Sequence, residues 1–187
     1  IEPDLSNAGA FIAAALVTGG SVVIRHWPKE TDQAGHAWTW LVPAFGGTVE
    51  QVGDGLKFTG GEQLPGITAD LHEVGELTPA VAAIAAVADS PSTLTGVAHL
   101  RGHETDRLAA LVAEINALGG DTHELSDGLS ISPRELAGGT FHTYHDHRMA
   151  HAGAIIGLRV PGVTVENIAT TAKTYPAFAH DWEQLIE

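Results

Sequence analysis

Four cationic side chains lie at or near the starts of predicted helices, where a positive charge is unusual. They are Arg101, Arg107, Arg148 and Lys173. Because the helix dipole is already positive at this end, a cation there is locally unfavourable unless an anion is also present. A guanidinium or ammonium group beside the free N–H groups of a helix end forms a good anion site. The alternative is that each of these cations pairs with one of the many surface acids.

Two glutamates are placed where they could act as an acid or a base beside these cations. Glu104 falls within the apolar stripe of a predicted helix, three residues before Arg107. A carboxylate at that position either caps the helix or faces a cleft, where partial desolvation would raise its pKa. Glu76 comes just before a predicted helix start at Thr78 and Pro79. It is either a first-turn acid favoured by the dipole or a second carboxylate of the same cleft.

A histidine-rich run extends from Phe141 to His151. His147 and His151 are four residues apart, which is a common spacing for two metal ligands on one helical face. The sequence contains neither an HExxH motif nor a second ligand cluster. There are two alternatives to a metal site: His147 and Arg148 contact a substrate, or the histidines simply lie on the surface. A non-catalytic metal- or ligand-binding module therefore stays open as a separate hypothesis. There is also no P-loop, GxGxxG or GxSxG motif, and the sequence predicts no cofactor.

The composition excludes several classes of protein. With 23 acidic and 9 basic residues, the 187-residue chain has a net charge of −14, which argues against binding to nucleic acid or to an anionic membrane surface. No apolar run approaches the ~20 residues of a membrane span. The absence of cysteine excludes a disulfide scaffold and fits a reducing, cytoplasmic location. The chain begins at Ile1 and its one methionine is Met149, so we expect a piece of a longer protein.

The elements that must position these residues repeat along the chain. Gly46-Gly47-Thr48 matches Gly119-Gly120-Asp121 at an offset of 73 residues, and Glu30-Thr31-Asp32 matches Glu104-Thr105-Asp106 at an offset of 74. A fixed period of this size indicates repeated supersecondary units. We place three units at about 1–61, 67–133 and 141–187, and we expect them to share one domain.

Each unit combines helices and strands, which predicts an α/β (α+β) fold. In the second unit, Thr78 reads as an N-cap, followed by helix 80–88, strand 93–99 and helix 104–118. Gly119-Gly120 should end that second helix, and two short strands should flank the turn at Asp127-Gly128. The third unit lacks this closing hairpin. Pro43 should kink or shorten the second helix of the first unit.

Three runs in this order resemble one known family. They are Gly102-His-Glu-Thr-Asp-Arg-Leu108, Asp146-His-Arg-Met-Ala150 and Thr171-Ala-Lys-Thr174. Together they resemble the EPSP synthase (3-phosphoshikimate 1-carboxyvinyltransferase) family. Two further segments, Glu2-Pro-Asp-Leu-Ser-Asn-Ala8 and Val74-Gly-Glu-Leu-Thr-Pro79, look like its actinobacterial branch. The resemblance covers the whole chain and corresponds to the C-terminal half of the enzyme.

The resemblance implies a two-domain enzyme in which each domain has three βαβαββ units, with helices inside and sheets outside. Helix N-termini then point into the cleft between the domains. Residues 1–187 would form most of one domain, and the shortened third unit would be completed by residues outside this chain. The partners implied are phosphoenolpyruvate, shikimate 3-phosphate and the missing N-terminal domain, without metal or cofactor. The family is also the target of glyphosate.

The resemblance also implies a role for each candidate residue. Glu104 would protonate and later deprotonate the methylene carbon of phosphoenolpyruvate, and Glu76 would accept the proton of the 5-hydroxyl of shikimate 3-phosphate. The residues implied to hold phosphoenolpyruvate are Arg107, Arg148 and Lys173, with His147 beside them.

The sugar-side contacts depart from the family pattern. The resemblance implies that Glu76, His99 and His103 contact shikimate 3-phosphate, but many family members carry asparagine and lysine at the two histidine positions. The sister enzyme, UDP-N-acetylglucosamine enolpyruvyl transferase, shares the fold and chemistry and is the second enzymatic hypothesis.

Because a cleft needs two walls, we expect this chain alone to be catalytically inactive.

Overall fold

Helices and strands follow one another along the chain in three successive runs. The structure is a computed structural model that describes residues 3–102 and 105–186. The first run comprises α1 (Leu5–Thr18), β1 (Ser21–Ile24), α2 (Trp38–Ala44), β2 (Thr48–Val52) and β3 (Gly55–Thr59). The second comprises β4 (Thr68–Asp70), α3 (Thr78–Ala86), β5 (Ser92–Thr95), α4 (Arg107–Ala117), β6 (Asp121–Glu124) and β7 (Leu129–Ser132). The third comprises β8 (Gly139–Phe141), α5 (His147–Gly157), β9 (Val163–Val165) and α6 (Phe178–Ile186).

Each run forms its own small sheet. The strand order is β1-β3-β2 in the first sheet and β4-β5-β7-β6 in the second, and β8 pairs with β9 in the third. In the second and third sheets the first strand pairs in parallel with the second strand of the run. Hairpins β2–β3 and β6–β7 are antiparallel. The second run thus has the complete βαβαββ order, which is consistent with the repeat expected from the sequence.

Helices α1, α3 and α5 pack against one another in the interior. Alanine is abundant in all three helices, and its small side chain lets helices approach closely. In α3 every residue except Ala80 is buried, whereas β2 is mostly exposed along its length. The helices therefore lie inside and the sheets outside, as predicted.

Aspartates begin three of the helices. Asp4 accepts hydrogen bonds from the backbone N–H groups of Ser6 and Asn7 at the start of α1. Asp106 does the same for the first turn of α4, and Asp146 accepts from the N–H of Arg148 in α5. These caps satisfy backbone donors that have no partner within the helix.

Several predicted elements are confirmed. Residues Leu108, Leu111 and Ile115 of α4 are almost fully buried, as the helical stripe predicts. Gly119 ends that helix in the left-handed conformation, with a φ of 94°. The turn at Asp127-Gly128 joins the antiparallel strands β6 and β7. Helix α2 has seven residues and ends directly after Pro43.

Other details of the prediction were wrong. Helix α4 begins at Arg107, not near residue 104, because Asp106 caps it. Strand β5 ends at Thr95, and His99 lies in a 3₁₀ helix, Ala98–Gly102.

The predicted N-cap at Thr78 was also wrong. Thr78 is the first residue of α3, and its buried hydroxyl has no hydrogen-bond partner in the described parts of the chain. A 3₁₀ helix, His72–Leu77, runs directly into α3 and takes the place of a side-chain cap.

One buried histidine in α5 carries a consequence for stability. His151 is 3% exposed, and its ring centroid lies 4.4 Å from that of Phe178 in α6. Its Nε2 atom has no hydrogen-bond partner within residues 3–102 and 105–186. Burial, followed by the nearby positive charges of His147 and Arg148, lowers the pKa of His151 to about 3. His151 is therefore neutral in the folded protein at pH 7.

This depressed pKa predicts a loss of stability in acid. Below about pH 6.5 the unfolded chain binds a proton at His151, and the folded chain does not until about pH 3. Between pH 7 and 5 His151 alone should lower the free energy of unfolding by about 2 kcal/mol. Urea unfolding of the wild type and of His151→Phe at both pH values measures this. The variant should lose about 2 kcal/mol less than the wild type; equal losses would contradict the prediction.

Candidate active site

The N-termini of four helices meet at one end of the molecule. Side chains from the first turns of α1, α4 and α5 and from the segment before α3 contact one another there. The connecting residues are Ser6, Glu76, Arg107, Asp146 and Arg148. Because each of these helices directs its positive dipole end to this place, the surface favours anions.

A buried ion pair joins the starts of α4 and α5. The Nε and Nη2 groups of Arg107 donate to the two carboxylate oxygens of Asp146, at 2.7 and 3.3 Å. The Asp146 side chain is fully buried and that of Arg107 is 7% exposed. Burial alone would raise the pKa of Asp146, but the hydrogen bonds and positive charge of Arg107 lower it below its usual value. Asp146 is therefore ionised, and it fixes the plane of the Arg107 guanidinium.

A second cation, Arg148, is paired with one of the two candidate carboxylates. Its Nη2 group donates to Oε2 of Glu76 at 3.2 Å, and the other carboxylate oxygen of Glu76 accepts a hydrogen bond from the Ser6 hydroxyl. The Arg148 side chain is 15% exposed and that of Glu76 is 40% exposed. Burial lowers the pKa of Arg148, although Glu76 opposes the shift. Glu76 thus reaches solvent while two helix starts hold it in place.

The third cation lies on the segment after β9. Lys173 is in the last turn of a 3₁₀ helix, Ile168–Lys173, and its Nζ donates to the backbone carbonyl of His145 at 2.8 Å. The next residue, Thr174, is joined to Asn7 of α1 by a hydrogen bond of 3.3 Å. Lys173 is exposed, and its contact with His145 places it beside Asp146 at the start of α5.

The predicted histidines fall beside this cluster. The His99 ring lies against Gly75, where a Cβ atom would collide with the ring, and this places His99 next to Glu76. His147 is the first residue of α5, and its ring centroid is 6.0 Å from that of His151. The structure therefore brings Glu76, His99, Arg107, Arg148 and Lys173 to one end of the molecule. The predicted residues His103 and Glu104 lie outside the described residues.

Two residues of this cluster had no role in the sequence-based prediction. In the sequence, Asp146 stands within a motif and Ser6 within a segment that resembles the family, and neither has a predicted role of its own. The Asp-x-Arg spacing at the start of a predicted helix could have indicated that Asp146 is an N-cap. No sequence signal relates Ser6 to Glu76, which is 70 residues away along the chain.

The predicted cation Arg101 does not join this cluster. It pairs with Glu124 and the carbonyl of Leu125, so the surface-pairing alternative holds for this cation.

Two further findings concern metal ligands and membrane spans. Within residues 3–102 and 105–186 there is no group of three or more histidine, aspartate or glutamate side chains that could hold a metal ion. None of the described helices is long and apolar enough to cross a membrane.

The buried ion pair predicts a large difference between two aspartate caps. Asparagine caps a helix as well as aspartate does, so Asp146→Asn removes the charge but not the capping oxygen. It should lower the free energy of unfolding by about 3 to 5 kcal/mol, because Arg107 is left buried without its counter-charge. The matched change Asp106→Asn, at a partly exposed cap, should cost less than about 1 kcal/mol. Urea unfolding at pH 7 measures both losses, and similar values would contradict this account.

Comparison with known proteins gives one consistent match. A sequence model of EPSP synthase (3-phosphoshikimate 1-carboxyvinyltransferase) matches residues 1–182. A 3-phosphoshikimate 1-carboxyvinyltransferase of Kocuria rhizophila is 58% identical over 186 residues; the match covers 100% of this chain and 42% of that relative. The chain therefore spans less than half the length of the curated relative.

Solved structures show the same fold. An EPSP synthase from Acinetobacter baumannii superposes with a TM-score of 0.87 at 26% identity, over 99% of this chain and 46% of that chain. The enolpyruvyl transferase NikO from Streptomyces tendae has a TM-score of 0.75 at 21% identity, over 99% of this chain and 43% of that chain, and shares the fold. The fold, the motifs and the match over residues 1–182 agree, and the chain belongs to the EPSP synthase family.

Proposed function

We propose that this chain is one wall of an enzyme that transfers the enolpyruvyl group of phosphoenolpyruvate to the 5-hydroxyl of shikimate 3-phosphate. The observation that carries this proposal is the convergence of Arg107, Arg148, Lys173 and Glu76 at the open ends of four helices. Phosphoenolpyruvate carries a phosphate and a carboxylate close together. Guanidinium forks match both groups, and positive helix ends offset the repulsion between two anionic substrates.

The reaction is an addition followed by an elimination. The 5-hydroxyl oxygen bonds to C2 of phosphoenolpyruvate, its proton passes to a base, and an acid protonates the C3 methylene. From the tetrahedral intermediate, loss of a C3 proton re-forms the double bond as the C2–oxygen bond to phosphate breaks. We propose Glu76 as the base for the hydroxyl and Glu104 as the acid and base at C3. His99 and His103 would contact shikimate 3-phosphate, and His147 would lie beside the phosphoenolpyruvate pocket.

The geometry of Glu76 supports its proposed role. Its carboxylate is held by Ser6 and Arg148, yet it stays partly open to solvent. A substrate hydroxyl could replace the Ser6 hydroxyl as a hydrogen-bond donor without moving the glutamate far. Arg148 orients this carboxylate through a hydrogen bond of 3.2 Å.

A second wall from outside the chain would complete the cleft. The proposed partner is an N-terminal domain of the same enzyme, and we place this chain, as a single domain, in the C-terminal half with units at about 1–61, 67–133 and 141–187. The first run has no strand equivalent to β4 or β8 among its described residues. Beside β1 lies a cavity of about 450 Å³ lined by Phe11, Val22 and Ile24 among others, which could take part of a strand supplied from outside the chain.

We also infer a cytoplasmic location for the whole enzyme.

The test is phosphate release from phosphoenolpyruvate and shikimate 3-phosphate. This chain alone should release none, and release should appear when the N-terminal half of the Kocuria relative is added. Glu104→Gln should lower kcat by about 10²- to 10⁴-fold, because general acid–base catalysis contributes about that much. Glu30→Gln changes the matching glutamate of the first repeat, which is exposed, and should leave the rate unchanged.

Three outcomes would contradict the proposal. Turnover by the lone chain would show that no second wall is needed. Release with UDP-N-acetylglucosamine in place of shikimate 3-phosphate would identify the sister enzyme. Halves that associate and bind shikimate 3-phosphate but release no phosphate would show that the site assignment is wrong.

A further inference from the structure

A buried carboxylate on α4 lies outside the candidate residues considered so far. Glu114 is 4% exposed and is two turns along α4 from Arg107. Its Oε2 accepts a hydrogen bond from the backbone N–H of His142 at 2.8 Å, and its Oε1 accepts one from the Tyr144 hydroxyl at 2.6 Å. The His142 ring nitrogen Nδ1 is also 3.1 Å from Oε2. All these contacts go to a single loop, residues 142–146, between β8 and α5.

This loop has an unusual backbone. Tyr144 and His145 are consecutive residues in the left-handed region, with φ values of 55° and 57°. For residues other than glycine this conformation costs on the order of 1 kcal/mol or more each, so surrounding contacts must hold it. The contacts of Glu114 are with His142, two residues before the strained pair, and with Tyr144 within it. The hydrogen bond that Tyr144 donates to Glu114, followed by burial, raises the pKa of Tyr144 to about 12, which keeps its hydroxyl a donor.

The strained loop leads directly into the site. His145 supplies the carbonyl that holds Lys173, and the next residue is Asp146, which holds Arg107. Arg148 follows in the first turn of α5, with its backbone N–H on Asp146. A change in the path of the loop would therefore move the partners of Lys173 and Arg107, together with the start of the helix that carries Arg148.

We propose that Glu114 is a positioning residue for the phosphoenolpyruvate site, acting through loop 142–146 on Lys173, Arg107 and Arg148. The identity of the substrate rests on the proposed function, whereas the effect of Glu114 on the loop and on the cations does not. Glu114 itself contacts no reacting atom. It fixes the turn that sets the spacing of the cations, and this spacing decides how well a phosphate and a carboxylate fit together.

The geometric part can be tested on this chain without turnover. In Glu114→Gln one acceptor oxygen becomes an N–H₂ donor that faces a donor. We expect solvent exchange of the Arg107 Nε–H, followed by ¹⁵N NMR, to accelerate about tenfold or more as the Asp146 pair loosens. In ¹³C-tyrosine spectra, the pKa of Tyr144 should fall from about 12 towards its usual value of about 10. Tyr144→Phe removes one hydrogen bond and should shift the exchange in the same direction by less, so the test does not depend on one variant folding.

The functional part uses the two assembled halves. Glu114→Gln should raise the KM for phosphoenolpyruvate about tenfold and change kcat by less than about threefold, because it alters binding geometry and not the acid or base. Glu183→Gln, at an exposed position of α6, is the matched control and should change neither. Unchanged Arg107 exchange in both variants, or a fall in kcat at constant KM, would overturn the inference. If the wild-type halves associate but do not turn over, the proposed function fails, and the exchange rate alone then decides whether Glu114 positions Arg107.

Discussion

The site depends on the buried pair of Arg107 and Asp146. Removing two charges from water is costly, and such a pair is tolerated only when its geometry and its remaining hydrogen bonds are good. Both oxygens of Asp146 accept hydrogen bonds from Arg107, and one of them also accepts the backbone N–H of Arg148. The same carboxylate therefore caps α5, holds the first residue of α4 and orients a guanidinium. The arrangement of the neighbouring cations follows from that one fixed point.

The rest of the site places the remaining charges around that pair. The chain has only nine cationic residues against 23 acidic ones, and the site contains Arg107, Arg148 and Lys173. Each of the three is held by a carboxylate or a backbone carbonyl that belongs to a different helix or segment. Helices α1, α3 and α5, which bring their starts to this site, pack against one another in the interior. The electrostatic site is thus buried at Arg107 and Asp146 and open to solvent at Glu76, which fits the proposed half-cleft.

The sequence predicted the elements with strong periodicity and missed those with weak or distant signals. The α4 stripe and the β6–β7 hairpin were predictable because apolar spacing and an Asp-Gly turn are local signals. Strands β4 and β8 have three residues each, too few to show alternation. Thr78 looked like a cap, but the preceding 3₁₀ helix makes it the first helical residue. The contact of Ser6 with Glu76 joins two units of the repeat, and no local pattern encodes it.

The most direct test of this account is a crystal structure of the two assembled halves carrying Glu104→Gln, with phosphoenolpyruvate and shikimate 3-phosphate bound. We predict oxygens of phosphoenolpyruvate about 3 Å from the side-chain nitrogens of Arg107, Arg148 and Lys173, with Arg107 still paired to Asp146. Glu76 should then lie within hydrogen-bond reach of the 5-hydroxyl. Phosphoenolpyruvate bound away from these cations, or an Arg107 that has left Asp146, would contradict the account.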